Sequence, residues 1–124
     1  MAEFQMSRVK VEMSQEMVDF RKLLDEAAID WEDRSDVDPW YTIYRTHFWI
    51  RGNKYSVIHG YGSYGGVDPF TQYDEGLLEL MSSAVNGGEP VGYLTAKKAY
   101  ELVQESIIGE PGEWYSDESR VDCK

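Results

Sequence analysis

Cysteine is nearly absent from this chain: Cys123 is the only one in 124 residues. A lone thiol makes no internal disulfide and is too few for a zinc site. The composition therefore predicts a reducing cytoplasm. Long hydrophobic runs are also missing, which excludes a membrane-spanning helix and a signal-peptide core from the sequence reading. Bases are scarce, with 12 Lys and Arg against 23 Asp and Glu, for a net charge of -11. Such a charge argues against direct grip on a nucleic-acid backbone, because polyanions repel one another. It also disfavours an anionic membrane surface.

What is present is enough for a core: 42% hydrophobic residues, with 14% aromatic. The length corresponds to one domain. Residues 1–13 read as an N-terminal extension, of which Met1–Phe4 has the look of a vector remnant. Residues 14–108 read as a single α+β domain, and residues 109–124 as an acidic, mobile tail rich in glycine, serine and acids. Ser14 is a good N-cap, with Glu16 and Asp19 following where the helix dipole favours anions. Met17, Phe20, Leu24, Ala27 and Ala28 recur at helical spacing, so a helix is expected to end near residues 28–30. The acidic stretch 30–39 then reads as a loop closed by Pro39.

Residues 41–51 and 54–61 are rich in aromatic and β-branched side chains and read as a hairpin. With Gly52-Asn53 as its turn, Ile50 pairs with Tyr55, Phe48 with Val57 and Thr46 with His59. The face Phe48, Ile50, Tyr55, Val57 is then coherently apolar. Residues 77–81 suit either a short helix or a third strand, and the flanking glycines favour the strand. Thr95 caps a last helix whose buried stripe is Ala96, Ala99, Tyr100, Val103, Ile107 and Ile108. The expected fold is thus α-β-β-β-α, a three-stranded antiparallel sheet flanked by two helices.

Catalytic chemistry finds little purchase. In the argued register His47 and His59 point to opposite sheet faces, so they form no pair. Cys123 lies among acids, which raise a thiol's pKa and blunt it as a nucleophile. The loop Gly60–Gly66 lacks the strand–loop–helix setting and the lysine of a phosphate cradle, and reads as a flexible, tyrosine-bearing contact loop. Asp30, Glu32, Asp33, Asp36 and Asp38 miss the spacing and central glycine of a calcium loop. No cofactor and no metal are expected. The charge itself has two readings: a solvated, solubilising surface, or carboxylates that stand in for phosphates. On the second, the acidic patch is Asp25, Glu26, Asp30, Glu32, Asp33, Asp36 and Asp38. Its aromatic anchors are Trp31, Trp40, Tyr41, Tyr61 and Tyr64.

The segments Phe20–Asp25, Ser56–Gly60, Tyr64–Gly66, Glu75–Glu79 and Gly92–Ala96 together give the chain a style. It resembles the small acidic α+β proteins encoded by bacteriophages and prophages, among which anti-CRISPR proteins are the best-known group. The resemblance implies a non-enzymatic inhibitor acting in the host cytoplasm. Its expected partner is a host protein with a basic nucleic-acid-binding surface, such as a CRISPR effector, and the protein itself is a monomer or homodimer. The alternatives are an accessory phage protein whose acidity serves solubility alone, and a small histidine-dependent enzyme.

Overall fold

The computed structural model describes residues 11–38 and 41–108. The acidic tail, Trp40 and the start of the extension lie outside the described residues, as does the side chain of Ile108. Helix α1 (Gln15–Glu26) is followed by strands β1 (Glu32–Asp33), β2 (Ile43–Ile50), β3 (Asn53–Gly60), β4 (Leu78–Ser82) and β5 (Val91–Leu94), and the chain closes with helix α2 (Ala96–Ile108). The fold is α+β, with two helices and one antiparallel sheet. The sheet has five strands rather than three, in the order β1-β2-β3-β4-β5, so every strand pairs with its sequence neighbour.

Both helices cover the same sheet face. Met17, Phe20 and Leu24 of α1 and Ala96, Ala99 and Val103 of α2 are buried. They pack with Phe48, Tyr55, Val57, Leu78, Leu80 and Leu94 of the sheet in one apolar cluster. Phe48 stacks on Tyr55 at 5.0 Å between ring centres and meets Phe20 at 5.9 Å. The N-caps form as read: Ser14 Oγ accepts from the Met17 amide, and Thr95 Oγ1 from the Lys98 amide. The two helix starts are tied together as well, because the Glu16 carboxylate accepts from the Ala96 amide at 2.7 Å. Val11, in the segment read as an extension, is buried, and the Tyr44 hydroxyl donates to its carbonyl.

Three expectations need correction. First, α1 stops at Glu26, and Ala27 and Ala28 are exposed instead of extending the apolar stripe. Ala28 turns left-handed (φ 59°), and the amides of Ala28 and Ile29 bond back to the carbonyls of Asp25 and Leu24. This is a Schellman stop with alanine in the glycine position. Second, the hairpin turn is Arg51-Gly52, not Gly52-Asn53. Both central residues have positive φ (54° and 82°), as a type I′ turn demands. Phe48 therefore pairs with Tyr55, and Thr46 with Val57. The slip is two residues, so the apolar face is preserved.

Third, the acidic stretch is not simply a loop, and β5 was not expected at all. Glu32 and Asp33 align with His47 and Thr46 along the open edge of β2, and Asp36 bridges to Ile43. β5 joins β4 through a bulge between Leu78 and Leu80. The uncovered sheet face carries Arg45, His47, Trp49, Lys54, Ser56, Ile58 and Met81, a mixed surface on which Trp49 and Met81 are exposed. No helix among the described residues is long and apolar enough to cross a membrane.

Candidate binding surface

The acidic patch read from the sequence follows the β1 edge, and much of its charge is already matched there. Arg34 pairs with Glu32 at 2.6 Å, Arg21 with Asp33 at 3.2 Å and Arg45 with Asp36 at 3.3 Å. The edge alignment of β1 with β2 brings Arg45 to Asp36, while α1 projects Arg21 over Thr46 towards Asp33. The hydroxyl of Ser35, its amide and the Arg21 guanidinium together lower the Asp33 pKa against a smaller opposing effect of burial. Glu26, Asp30 and Asp38 are exposed around this edge, and Asp25 accepts from the Trp31 indole at 2.8 Å.

The aromatic anchors divide. Trp31 is a strut: its ring lies 4.6 Å beneath the Arg21 guanidinium and packs against the core cluster. Trp40 lies outside the described residues. Tyr41 and Tyr61 meet edge to face at 6.3 Å, and the Tyr61 hydroxyl donates to the Pro69 carbonyl. Tyr64 is exposed at the mouth of the glycine-tyrosine loop.

That loop is held rather than slack. Amides of Gly62, Gly66 and Val67 bond to carbonyls of Val67, Ser63 and Gly60. The Glu79 carboxylate accepts from the Tyr64 amide at 2.8 Å. β5 closes on it from the other side, because the bulge turns the Tyr93 amide out of the ladder and onto the Tyr64 carbonyl. Gly92 permits this approach, since a side chain there would overlap Tyr64.

The following segment, 67–76, is pinned from beneath. His59 is 0% exposed, and its Nε2 lies 3.0 and 3.1 Å from the two oxygens of Asp74. A carboxylate only accepts, so the nitrogen facing it carries the hydrogen. Its Nδ1 has no partner among the described residues. The Tyr44 ring lies parallel to the imidazole at 6.2 Å. His47 sits on the opposite sheet face, edge to face with Trp49, as the strand parity required. Burial, then the cations Lys54, Arg45 and Arg34, push its pKa below the usual 6.5. The two imidazoles thus form no catalytic pair. Among the described residues no group of three or more His, Cys, Asp or Glu is placed to hold a metal ion.

Above the pin opens a groove of about 240 Å³, lined by Tyr64, Asp68, Tyr73, Glu75 and Tyr93 among others. Next to it Phe70 is 93% exposed. Phe70, Tyr73 and Tyr93 escaped the sequence reading. The signal that could have found them is the charge pattern: from Tyr55 to Ala96 the chain has Asp68, Asp74, Glu75, Glu79 and Glu89 but no lysine or arginine. The groove lining is therefore aromatic and anionic, with no lysine or arginine in it, whereas the β1 edge is laced with arginine. Comparison with known proteins finds no matching family model, no matching curated protein and no matching solved structure.

Proposed function

We propose that the protein is a non-enzymatic inhibitor that docks on a basic, nucleic-acid-binding surface of a larger protein, in the manner of an anti-CRISPR protein acting on a CRISPR effector. The observation that carries this reading is the cation-free stretch from Tyr55 to Ala96, which presents exposed tyrosines and carboxylates from a hydrogen-bonded platform. Tyrosine anchors and complementary charge are what fast, specific protein association uses. Such a surface repels nucleic acid itself and attracts the groove that nucleic acid would fill. The exposed carboxylates Glu26 and Asp30 add long-range attraction, screened beyond about 8 Å at physiological salt.

The experiment is capture of the partner from host cells, followed by a nucleic-acid loading assay on the purified partner. The expected result is stoichiometric loss of nucleic-acid binding, relieved as salt rises. A partner with no nucleic-acid-binding surface, or inhibition by a variant with Glu26, Asp30, Asp68 and Glu75 all neutralised that equals the parent's, would sink the reading.

A further inference from the structure

We propose that the groove between the glycine-tyrosine loop and β5 is the seat of one arginine side chain supplied by a basic protein partner. This deepens the reading above and rests on it. The groove's size comes first. At about 240 Å³ it falls below the roughly 300–1,000 Å³ of cofactor and drug-sized pockets, so it takes a side chain and not a coenzyme.

Its lining comes second. Tyr64, Tyr73 and Tyr93 are 55%, 67% and 62% exposed. Neither their hydroxyls nor the Glu75 carboxylate has a hydrogen-bond or ion-pair partner among the described residues. Asp68, by contrast, spends one carboxylate oxygen on the amides of Phe70 and Thr71. Tyrosine faces attract a cation, and a planar guanidinium stacks on them while its fork meets a carboxylate. An ammonium is compact, strongly hydrated and has no plane to stack. Charge complementarity calls for a cation, and stacking with a bidentate fork selects arginine over lysine.

Tyr93 shows how the fold presents the ring. It holds φ +59°, a left-handed conformation that bulky residues rarely adopt. A glycine would take that backbone without strain. The ring does not repay the strain by burial, since most of it faces solvent. The bulge that turns the Tyr93 amide onto the Tyr64 carbonyl sets this backbone and leaves the ring standing on the groove's rim, open to a partner.

The test uses the full chain and three N-acetylated probes: hexa-arginine, hexa-lysine and hexa-citrulline. Affinity is measured calorimetrically, and the site is read from amide shifts in two-dimensional NMR spectra. Hexa-arginine should bind at least tenfold more tightly than hexa-lysine, hexa-citrulline should not bind, and the shifts should centre on Tyr64, Tyr73, Glu75 and Tyr93. Tyr93→Asn, in which asparagine tolerates the left-handed backbone, should weaken hexa-arginine at least tenfold. Glu75→Gln, at an exposed side chain with no internal partner, serves as the variant that keeps its fold and should weaken it severalfold. The edge variant Glu26→Gln/Asp30→Asn, which removes only long-range attraction, should weaken hexa-arginine and hexa-lysine alike and less than either groove variant weakens hexa-arginine. Equal binding of arginine and lysine peptides, or loss in the edge variant with none in the groove variants, overturns the groove assignment and leaves the basic-partner reading standing. A groove that passes every arm in a protein that blocks no nucleic-acid loading supports the groove and removes the inhibitor reading.

Discussion

Cutting the pin beneath the binding surface should loosen a whole loop. His59 is fully buried, and both Asp74 oxygens stand within 3.1 Å of its Nε2. Asp74 also accepts from the Gly76 amide at 2.7 Å, so one carboxylate ties the sheet to the end of the loop. A hydrogen bond to a charged group contributes about 1.5–3 kcal/mol, and an orphaned buried donor costs a comparable amount. The Asp74 side chain is 31% exposed, and solvent screening moves the expectation to the lower half of that range. Asp74→Ala should therefore cost about 2 kcal/mol, a fall in Tm of roughly 8 °C for a domain of this size. His59→Phe keeps a ring beside Tyr44 and removes the donor, so adding Asp74→Ala to it leaves nothing orphaned at that position. The double variant should be more stable than the sum of the singles predicts, by about 1–2 kcal/mol. Urea unfolding at a common slope measures the cycle, and hydrogen exchange across residues 67–76 locates the loosening. Additive losses, within about 0.5 kcal/mol, would mean that the contact is geometric and carries no coupling.

Ala28→Gly should stabilise the protein by about 0.5–1 kcal/mol, since Ala28 is exposed and left-handed and glycine removes the steric cost of that conformation; a higher urea midpoint checks it. Gly52→Ala should cost about 1 kcal/mol from backbone conformation alone, because nothing lies within 4 Å of the added methyl. Gly92→Ala should cost more, and its NMR shifts should centre on Tyr64, with which the methyl would overlap. His47, held below its ordinary value of 6.5 by burial and neighbouring cations, makes the unfolded chain the better proton acceptor on acidification. Its contribution to stability is thus complete above pH 6.5 and is lost as the pH falls from there towards its folded value. Against the parent, His47→Gln should show a shallower decline in Tm between pH 7 and pH 5.

Helices α1 and α2 and the central hairpin were legible because each buries a periodic face: Met17, Phe20 and Leu24 at helical spacing, and Phe48, Tyr55 and Val57 at alternate positions. The outer strands were not. Glu32 and Asp33 are exposed acids with low β propensity, and they are strand only because the edge of β2 offers them partners. β5 is four residues long, with a glycine and a left-handed tyrosine inside it, both of which break the strand pattern. The turn was misplaced by one residue because asparagine tolerates positive φ more readily than arginine, yet Arg51 adopts it. The acidic stretch was visible as composition, but its neutralisation was not. Arg45 meets Asp36 only through the strand alignment, and Arg21 reaches Asp33 only across the helix–sheet interface. The groove assembles from the Gly60–Gly66 loop, residues 67–76 and β5, which no local pattern joins.

The strictly sequential sheet also sets an order of assembly on the ribosome. Each strand can zip onto the one synthesised just before it, with short closures and little search. The roof is different. α1 emerges first and shelters only part of the apolar face, so Leu78, Leu80 and Leu94 wait for Ala99 and Val103 of the last described helix. A chain that has emerged through Leu94 while Ala96–Ile108 is still enclosed in the ribosome therefore has all its strands and an open greasy side, and that is the species that chaperones should hold.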